Sequence, residues 1–309
     1  MTPDLSCLSC PGSDALEAPD GRLKLPLQNV TLAVESVRKG FFVTRPLILV
    51  TNDDGIDSPG LAAAALALDS LGDLLIIAPR TQQSGAGRSM PLHHDGRLFE
   101  TTVTAQGRTW KAYAAHASPA QAVQHALLEL ITDRRPKLAV SGINYGENVG
   151  TAVTISGTVG AALEAAAHGV PALAVSLQVD RDLHLSNSAQ VDFSAAAYFT
   201  RFFAGRWLKK PPPPDVDVLK IDVPASATSE SRWRITRLEK RPYYIPLPPV
   251  RKRLEDEGRI GYTMVYDHAS DINTDAGALV HGFVAVTPLS LDMTSRVDFA
   301  ELARMLNDP

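Results

Sequence analysis

Two adjacent carboxylates stand at the end of a short apolar run. Leu47 to Thr51 reads LILVT and leads directly into Asn52, Asp53, Asp54 and Gly55. Two other segments also place small polar residues just past apolar runs. Ser84 and Gly85 follow LLIIAP (Leu74 to Pro79), and Asn144 follows KLAVSG (Lys137 to Gly142). Two acidic oxygens together with neutral oxygens from Ser84 and Asn144 suit a hard divalent cation, Mg2+ or Mn2+, with water filling the remaining positions. No His and Cys cluster accompanies them, which argues against zinc. Asp and Gly are also ordinary turn residues. The position after a buried strand, with two supporting loops, favours the chemical reading.

Groups able to hold a phosphate accompany these ligands. SGAGRS (Ser84 to Ser89) is a small-residue loop whose N–H groups suit an anion nest. Ser156, Gly157 and Thr158 open an expected helix, where unpaired N–H groups and the helix dipole favour an anion. Ser156 reads equally as a helix cap. GINYGENVG (Gly142 to Gly150) spaces its glycines for close backbone approach. There is no Gly-Lys-Ser/Thr loop, and no GxGxxG follows the first strand. Anion-binding groups beside a cation site suit a phosphate ester.

The elements that must position these residues alternate. Strands are expected at Leu47 to Thr51, Leu74 to Pro79, Lys137 to Gly142, Ala172 to Leu177 and Val218 to Pro224. Helices are expected at Gly60 to Gly72, Pro119 to Asp133, Ser156 to His168 and Ala189 to Leu208. An antiparallel pair is expected within Leu98 to Tyr113, turning at Gln106 and Gly107. This rhythm predicts an α/β fold, a mainly parallel sheet covered on both faces. All strand C-termini then lie on one edge, where ligands bind, so Asp53, Asp54, Ser84 and Asn144 converge. After Pro224 the rhythm breaks. Trp233 to Arg241 and Gly261 to Tyr266 read as an extended arm, about 232–275, before a strand at Phe283 to Pro288 and a helix at Phe299 to Leu306. The arm's apolar residues have no evident core of their own and are expected to pack on another subunit.

The chain has 309 residues, 45% hydrophobic and 21% charged, which excludes disorder throughout. Thirty basic and 34 acidic residues leave a net charge of −4, so binding nucleic acid by bulk charge is not expected. Two cysteines cannot build a disulfide scaffold, and no targeting segment or membrane span is evident, so a cytoplasmic protein is expected. Residues 1–45 read as an extension, irregular or loosely docked, and its Cys7 and Cys10 as incidental. The domain proper is expected over 46–309.

The ordered blocks VTNDDG, SGAG, SGINYGENVG and SGTVGAALEAAAHGVPALAVS resemble the survival protein SurE family of metal-dependent nucleotidases. The resemblance runs from about Leu47 to Val223 and resumes over Thr274 to Asp292. It implies a three-layer α/β/α fold and hydrolysis of nucleoside monophosphates to nucleoside and phosphate. It also implies one divalent metal per subunit, at the positions matching Asp53, Asp54, Ser84 and Asn144, and a dimer or tetramer formed through the C-terminal arm. The chain departs from the family pattern at Met90 and Pro91, at Ser118 to Ala122, and at Ile155.

In this reading a divalent ion polarises a phosphoryl oxygen, while N–H groups of the Gly85 loop and the Ser156 to Thr158 helix start stabilise the transferring group. Asn52 completes the expected substrate set. Asp53 is placed first as ligand, and either Asp53 or Asp54 orients or deprotonates the attacking water. Asn144, a neutral ligand, keeps the site from becoming too negative for a phosphate dianion. The alternatives are a nucleotide-binding module without turnover and a metal-dependent nucleotide-sugar transferase. An aspartyl-nucleophile phosphatase needs Asp, a spacer, then Asp, and here the two are adjacent. His93, His94 and Asp95 read as a solvated loop, and His116 with Ser118 lacks a nucleophile elbow. Trp233, Tyr243 and Tyr244 read as packing residues.

Overall fold

The computed structural model describes residues 44–184, 186–265 and 271–307. The expected extension and its Cys7 and Cys10 lie outside the described residues, save Thr44 and Arg45.

Nine strands form one sheet. They are β1 (Leu47–Thr51), β2 (Asp73–Pro79), β3 (Leu98–Ala105), β4 (Arg108–Ala115), β5 (Leu138–Tyr145), β6 (Ala172–Leu177), β7 (Val218–Val223), β8 (Trp233–Ile235) and β11 (Val284–Leu289), in the order β3-β4-β2-β1-β5-β6-β7-β11-β8. A separate hairpin pairs β9 (Tyr244–Leu247) with β10 (Gly261–Met264). From β4 to β7 every pairing is parallel; β3 runs antiparallel to β4, and β11 antiparallel to β7.

The central strands are buried along their whole length, which is why they read as continuous apolar runs rather than alternating ones. Their side chains divide between two cores. Ile48 and Val50 pack with Leu61, Ala64 and Leu68 of α1 (Pro59–Leu68) and with Phe199 and Phe203 of α4 (Ser194–Lys209). Leu49 packs on the opposite face, with Val123 of α2 (Pro119–His125) and Val159 and Ala162 of α3 (Gly157–Ala167). The fold is therefore three layers, α/β/α. Local signals fix the helix starts. Ser58 caps α1 ahead of Pro59, and Ser156 caps α3. Ser118 and Gln121 close a capping box on α2.

Several boundaries differ from the sequence expectation. The helix expected over Pro119 to Asp133 is α-helical only to His125, then widens into a π turn over Ala126–Leu130. The helix expected from Ala189 starts at Ser194, because the preceding residues are tied to the sheet edge: Tyr145 Oη donates to the Ser188 carbonyl at 2.9 Å. Strand β5 runs on to Tyr145, its pairing with β6 resuming at Asn144 after a register shift. Trp233, expected in the arm, instead opens β8, which pairs parallel with β11 at the edge of the main sheet. The arm that stands off the sheet is the β9–β10 hairpin. At its root Tyr243 is 1% exposed in a small core with Val149, Ala276 and Leu279, so this stretch does have a core of its own.

Two helices close the chain, α5 (Asp275–Val280) and α6 (Phe299–Asn307). Among the described residues no helix is long and apolar enough to cross a membrane.

Candidate active site

The sheet grows from β1 through β2 to β4 in one direction and from β1 through β5 in the other. The crevice at this reversal, at the strand C-termini, is where an open α/β sheet binds its ligand. Asp53 and Asp54 follow β1 there, and Asn144 sits in the adjoining β5.

Asn52 is fully buried, and its amide closes on Gly55: Nδ2 donates to the Gly55 carbonyl at 3.0 Å and Oδ1 accepts the Gly55 N–H at 3.2 Å. Asn52 therefore shapes the turn that holds the two acids. Asp53, 5% exposed, faces the start of α3, where it accepts a hydrogen bond from the Thr158 hydroxyl and interacts with the backbone of Thr158 and Gly157. A Cβ at Gly157 would stand 2.7 Å from Asp53 Oδ2, so only glycine leaves room for this carboxylate. Asp54, 2% exposed, accepts the Tyr145 N–H at 3.1 Å and the Gln82 amide, also at 3.1 Å.

Burial pushes the Asp53 carboxyl up to about 6, against the opposing pull of Thr158 and the helix start. Burial and the neighbouring Asp53 charge hold Asp54 well above the usual carboxylate range. Among the described residues no Lys or Arg pairs with either acid. Two buried carboxylates without a protein counter-charge are costly unless a cation joins them.

Asn144 adds a neutral oxygen. Its Nδ2 donates to the carbonyls of Gly146 at 2.7 Å and Tyr145 at 3.3 Å, so its orientation leaves Oδ1 for a cation. Ser84 and Gly85 are exposed on their loop. The loop is nonetheless docked at the site. Gln83 N–H donates to the Asp53 carbonyl at 2.7 Å, Gly87 N–H to the Ile155 carbonyl at 2.9 Å, and Arg88 pairs with the buried Glu164 of α3 at 2.6 Å. Ser156 accepts the Val159 N–H at 3.1 Å as the cap of α3. The structure thus brings Asp53, Asp54, Asn144, Gly157 and Thr158 together, with Ser84 and Gly85 at the rim. No group of three or more His, Cys, Asp and Glu among the described residues is arranged for a metal. A cation here relies on two carboxylates and neutral oxygens, the donor set of a hard ion, and these residues fit one.

Sequence reasoning missed the support behind Asn144. Lys220 and Asp222 of β7 and Asp275 of α5 are all fully buried. Lys220 pairs with both acids, with Asp275 at 3.0 Å. Asp222 accepts the Asn148 N–H at 2.8 Å, and Asp275 accepts those of Gly150 and Glu239, each at 2.9 Å. Burial alone would lower Lys220; the two carboxylates outweigh it and keep the ammonium protonated. The signal was available: charges two apart in VLKIDV share one face of a buried strand and need partners. Glu147, also buried, accepts the Tyr243 hydroxyl at 2.6 Å. Of the set-aside residues, Ser118 Oγ is spent on the Ser89 carbonyl and the α2 cap, and His116 pairs with Asp95 at 2.7 Å, so no nucleophilic triad forms.

An α/β sheet that gathers two buried acids, an amide oxygen and a glycine loop at its switch point has the framework of a hydrolase. Residues 48–244 match the family described as Survival protein SurE. The 5'-nucleotidase SurE of Thermococcus gammatolerans is 42% identical over 84% of this chain and 95% of its own length. That of Archaeoglobus fulgidus is 41% identical over 82% of this chain and 94% of its own. The crystal structure of the SurE protein from Aquifex aeolicus superposes with a TM-score of 0.66 at 28% identity, covering 85% of this chain and all of that one. The chain belongs to the survival protein SurE family, and it is a phosphoric monoester hydrolase.

Proposed function

We propose that this chain hydrolyses nucleoside 5'-monophosphates to nucleoside and phosphate, using one Mg2+ or Mn2+ held by Asp53, Asp54, Asn144 and Ser84. The observation that carries the reading is the pair of buried acids without a protein counter-charge, set against a helix start and a glycine loop. When bound, the ion supplies Lewis acidity toward a phosphoryl oxygen and lowers the pKa of water. Asp53 is oriented by Thr158 and the α3 start, Asp54 by Gln82 and the Tyr145 N–H. Either carboxylate orients the attacking water or takes its proton. Water oxygen bonds to phosphorus as the bond to the ribose oxygen breaks, and a proton passes to that oxygen. N–H groups around Gly85 bear on the phosphoryl oxygens.

The wider organisation belongs to the same proposal. Residues 46–309 form the catalytic domain, and the arm joins two or four copies. The support is the family resemblance and the exposed apolar residues Leu247, Val250, Leu254 and Ile260 on and beside the β9–β10 hairpin. Cysteine usage supports a cytoplasmic setting. The test is phosphate release from a panel of nucleoside 5'- and 3'-monophosphates with Mn2+, Mg2+ or EDTA, on wild type and Asp54→Asn. Release should require the metal and fall by at least about a thousandfold in the variant. Metal-independent release, or an active Asp54→Asn, contradicts the reading.

A further inference from the structure

A cavity of about 430 Å³ opens over the C-terminal ends of β6 and β7, lined by Gln178, Val179, Asp180, Arg181, Met264 and Leu279 among others. It contains none of the acids, yet a short chain of contacts joins it to them. Gln82 Nε2, which donates to Asp54, also donates to the His184 carbonyl at 2.9 Å. The His184 ring lies on the Asn144 loop: a Cβ at Gly146 would stand 2.9 Å from its Nε2. Its Nε2 reaches the Val179 carbonyl at 3.3 Å, and its Nδ1 meets the Tyr262 hydroxyl at 2.9 Å. A carbonyl can only accept, so Nε2 carries the proton and Nδ1 accepts from tyrosine. Burial, which lowers the His184 pKa, agrees with this neutral form. Beyond it the Arg181 guanidinium lies 5.1 Å from the centre of the Tyr262 ring. Tyr262 packs edge-on to Tyr244, whose hydroxyl donates to the Glu147 carbonyl at 2.8 Å.

We propose that this cavity takes the base of the nucleoside monophosphate, with His184 as the partition between base and phosphate ends and Arg181, seated over the Tyr262 ring behind it, as the stacking wall. The inference rests on the nucleotidase reading above. Three features support it. The cavity wall at Val179 is joined to Asp54 through one imidazole and one glutamine. Its volume suits a small organic ligand, and its lining mixes apolar walls with a few polar groups. Those groups, a carboxylate, a guanidinium and an amide, complement the donor and acceptor edge of a heterocycle, while a guanidinium over an aromatic ring offers a planar face for stacking. Tyr262 belongs to β10, so the arm hairpin contributes to substrate choice.

The test compares kcat/KM for nucleoside 5'-monophosphates with that for p-nitrophenyl phosphate, which has no base, on the Mn2+-loaded full chain. Variants are Arg181→Ala, at an exposed position that folding tolerates, and Tyr262→Ala. The ratio of nucleotide to p-nitrophenyl phosphate efficiency should fall roughly tenfold in each, through nucleotide KM. Tyr262→Phe keeps the ring and should retain most of the ratio. An unchanged ratio in Arg181→Ala and Tyr262→Ala, with wild type active on nucleotides, overturns the base site and leaves the nucleotidase reading standing. A wild type that cleaves p-nitrophenyl phosphate but no nucleotide removes both.

Discussion

Two pairs of buried carboxylates lie along the same sheet, and they meet the cost of burial in opposite ways. Asp222 and Asp275 enclose the ammonium of Lys220, and the same carboxylates accept backbone N–H groups from Asn148, Gly150 and Glu239. Asp53 and Asp54 have hydrogen-bond donors but no ammonium or guanidinium among the described residues. The first pair is complete within the chain and serves as structure. The second is complete only with a cation from outside, so it can place that charge against a substrate. Burial of acids by itself identifies neither. The source of the counter-charge separates a structural network from a reactive one.

Removing the internal cation tests the first half of this contrast. Lys220→Met leaves two buried acids unpaired, and we expect a loss of about 3–5 kcal/mol in unfolding free energy. A loss below 1 kcal/mol by denaturant unfolding would show that Lys220 is not what holds Asp222 and Asp275.

The acid pair without a lysine predicts a pH dependence. A carboxyl whose pKa is higher in the folded than in the unfolded chain binds protons more tightly when folded. Asp53 moves from an ordinary 3.8 up to about 6, and Asp54 also moves up. The contribution of this pair to the stability of the metal-free protein is therefore fullest below pH 4 and is lost as pH rises through about 6, by on the order of 3 kcal/mol from Asp53. Added Mn2+ should restore it above pH 6. Thermal unfolding at pH 5 and pH 7.5, with and without Mn2+, measures this; a metal-free protein more stable at pH 7.5 than at pH 5, with no gain from Mn2+, goes against it.

A smaller effect sharpens the same comparison. Thr158→Val removes the hydroxyl donated to Asp53 while keeping the shape of the side chain. We expect Mn2+ binding to weaken by about 1–2 kcal/mol, roughly tenfold, because the carboxylate loses a fixed orientation. Titration calorimetry reads this; unaltered affinity would make Thr158 a packing residue only.

Much of this was legible in the sequence. LILVT followed by two acids could be placed at a strand end because a strand buried on both faces has no polar alternation. The helix starts expected at Gly60, Pro119 and Ser156 lie within a residue of those found, each behind a serine cap. Asn52 was expected at the substrate, and its closure on Gly55, three residues on, was not read. The Ser156 to Thr158 helix start was expected to meet a phosphate, and the contact of Thr158 with Asp53, 105 residues away, has no spacing to signal it. Trp233 was assigned to the arm because a short edge strand has too few residues for a period. The His184–Tyr262 contact joins positions 78 apart, and no spacing signals it.

The most direct test is Mn2+ binding to the metal-free protein near pH 7.5, measured by calorimetry on wild type, Asp53→Asn and Lys220→Met. The account predicts one high-affinity ion per chain in wild type, a loss of at least about a hundredfold in Asp53→Asn, and retained stoichiometry in whatever Lys220→Met folds. Equal Mn2+ affinity in wild type and Asp53→Asn would contradict the claim that the buried acid pair is the cation site.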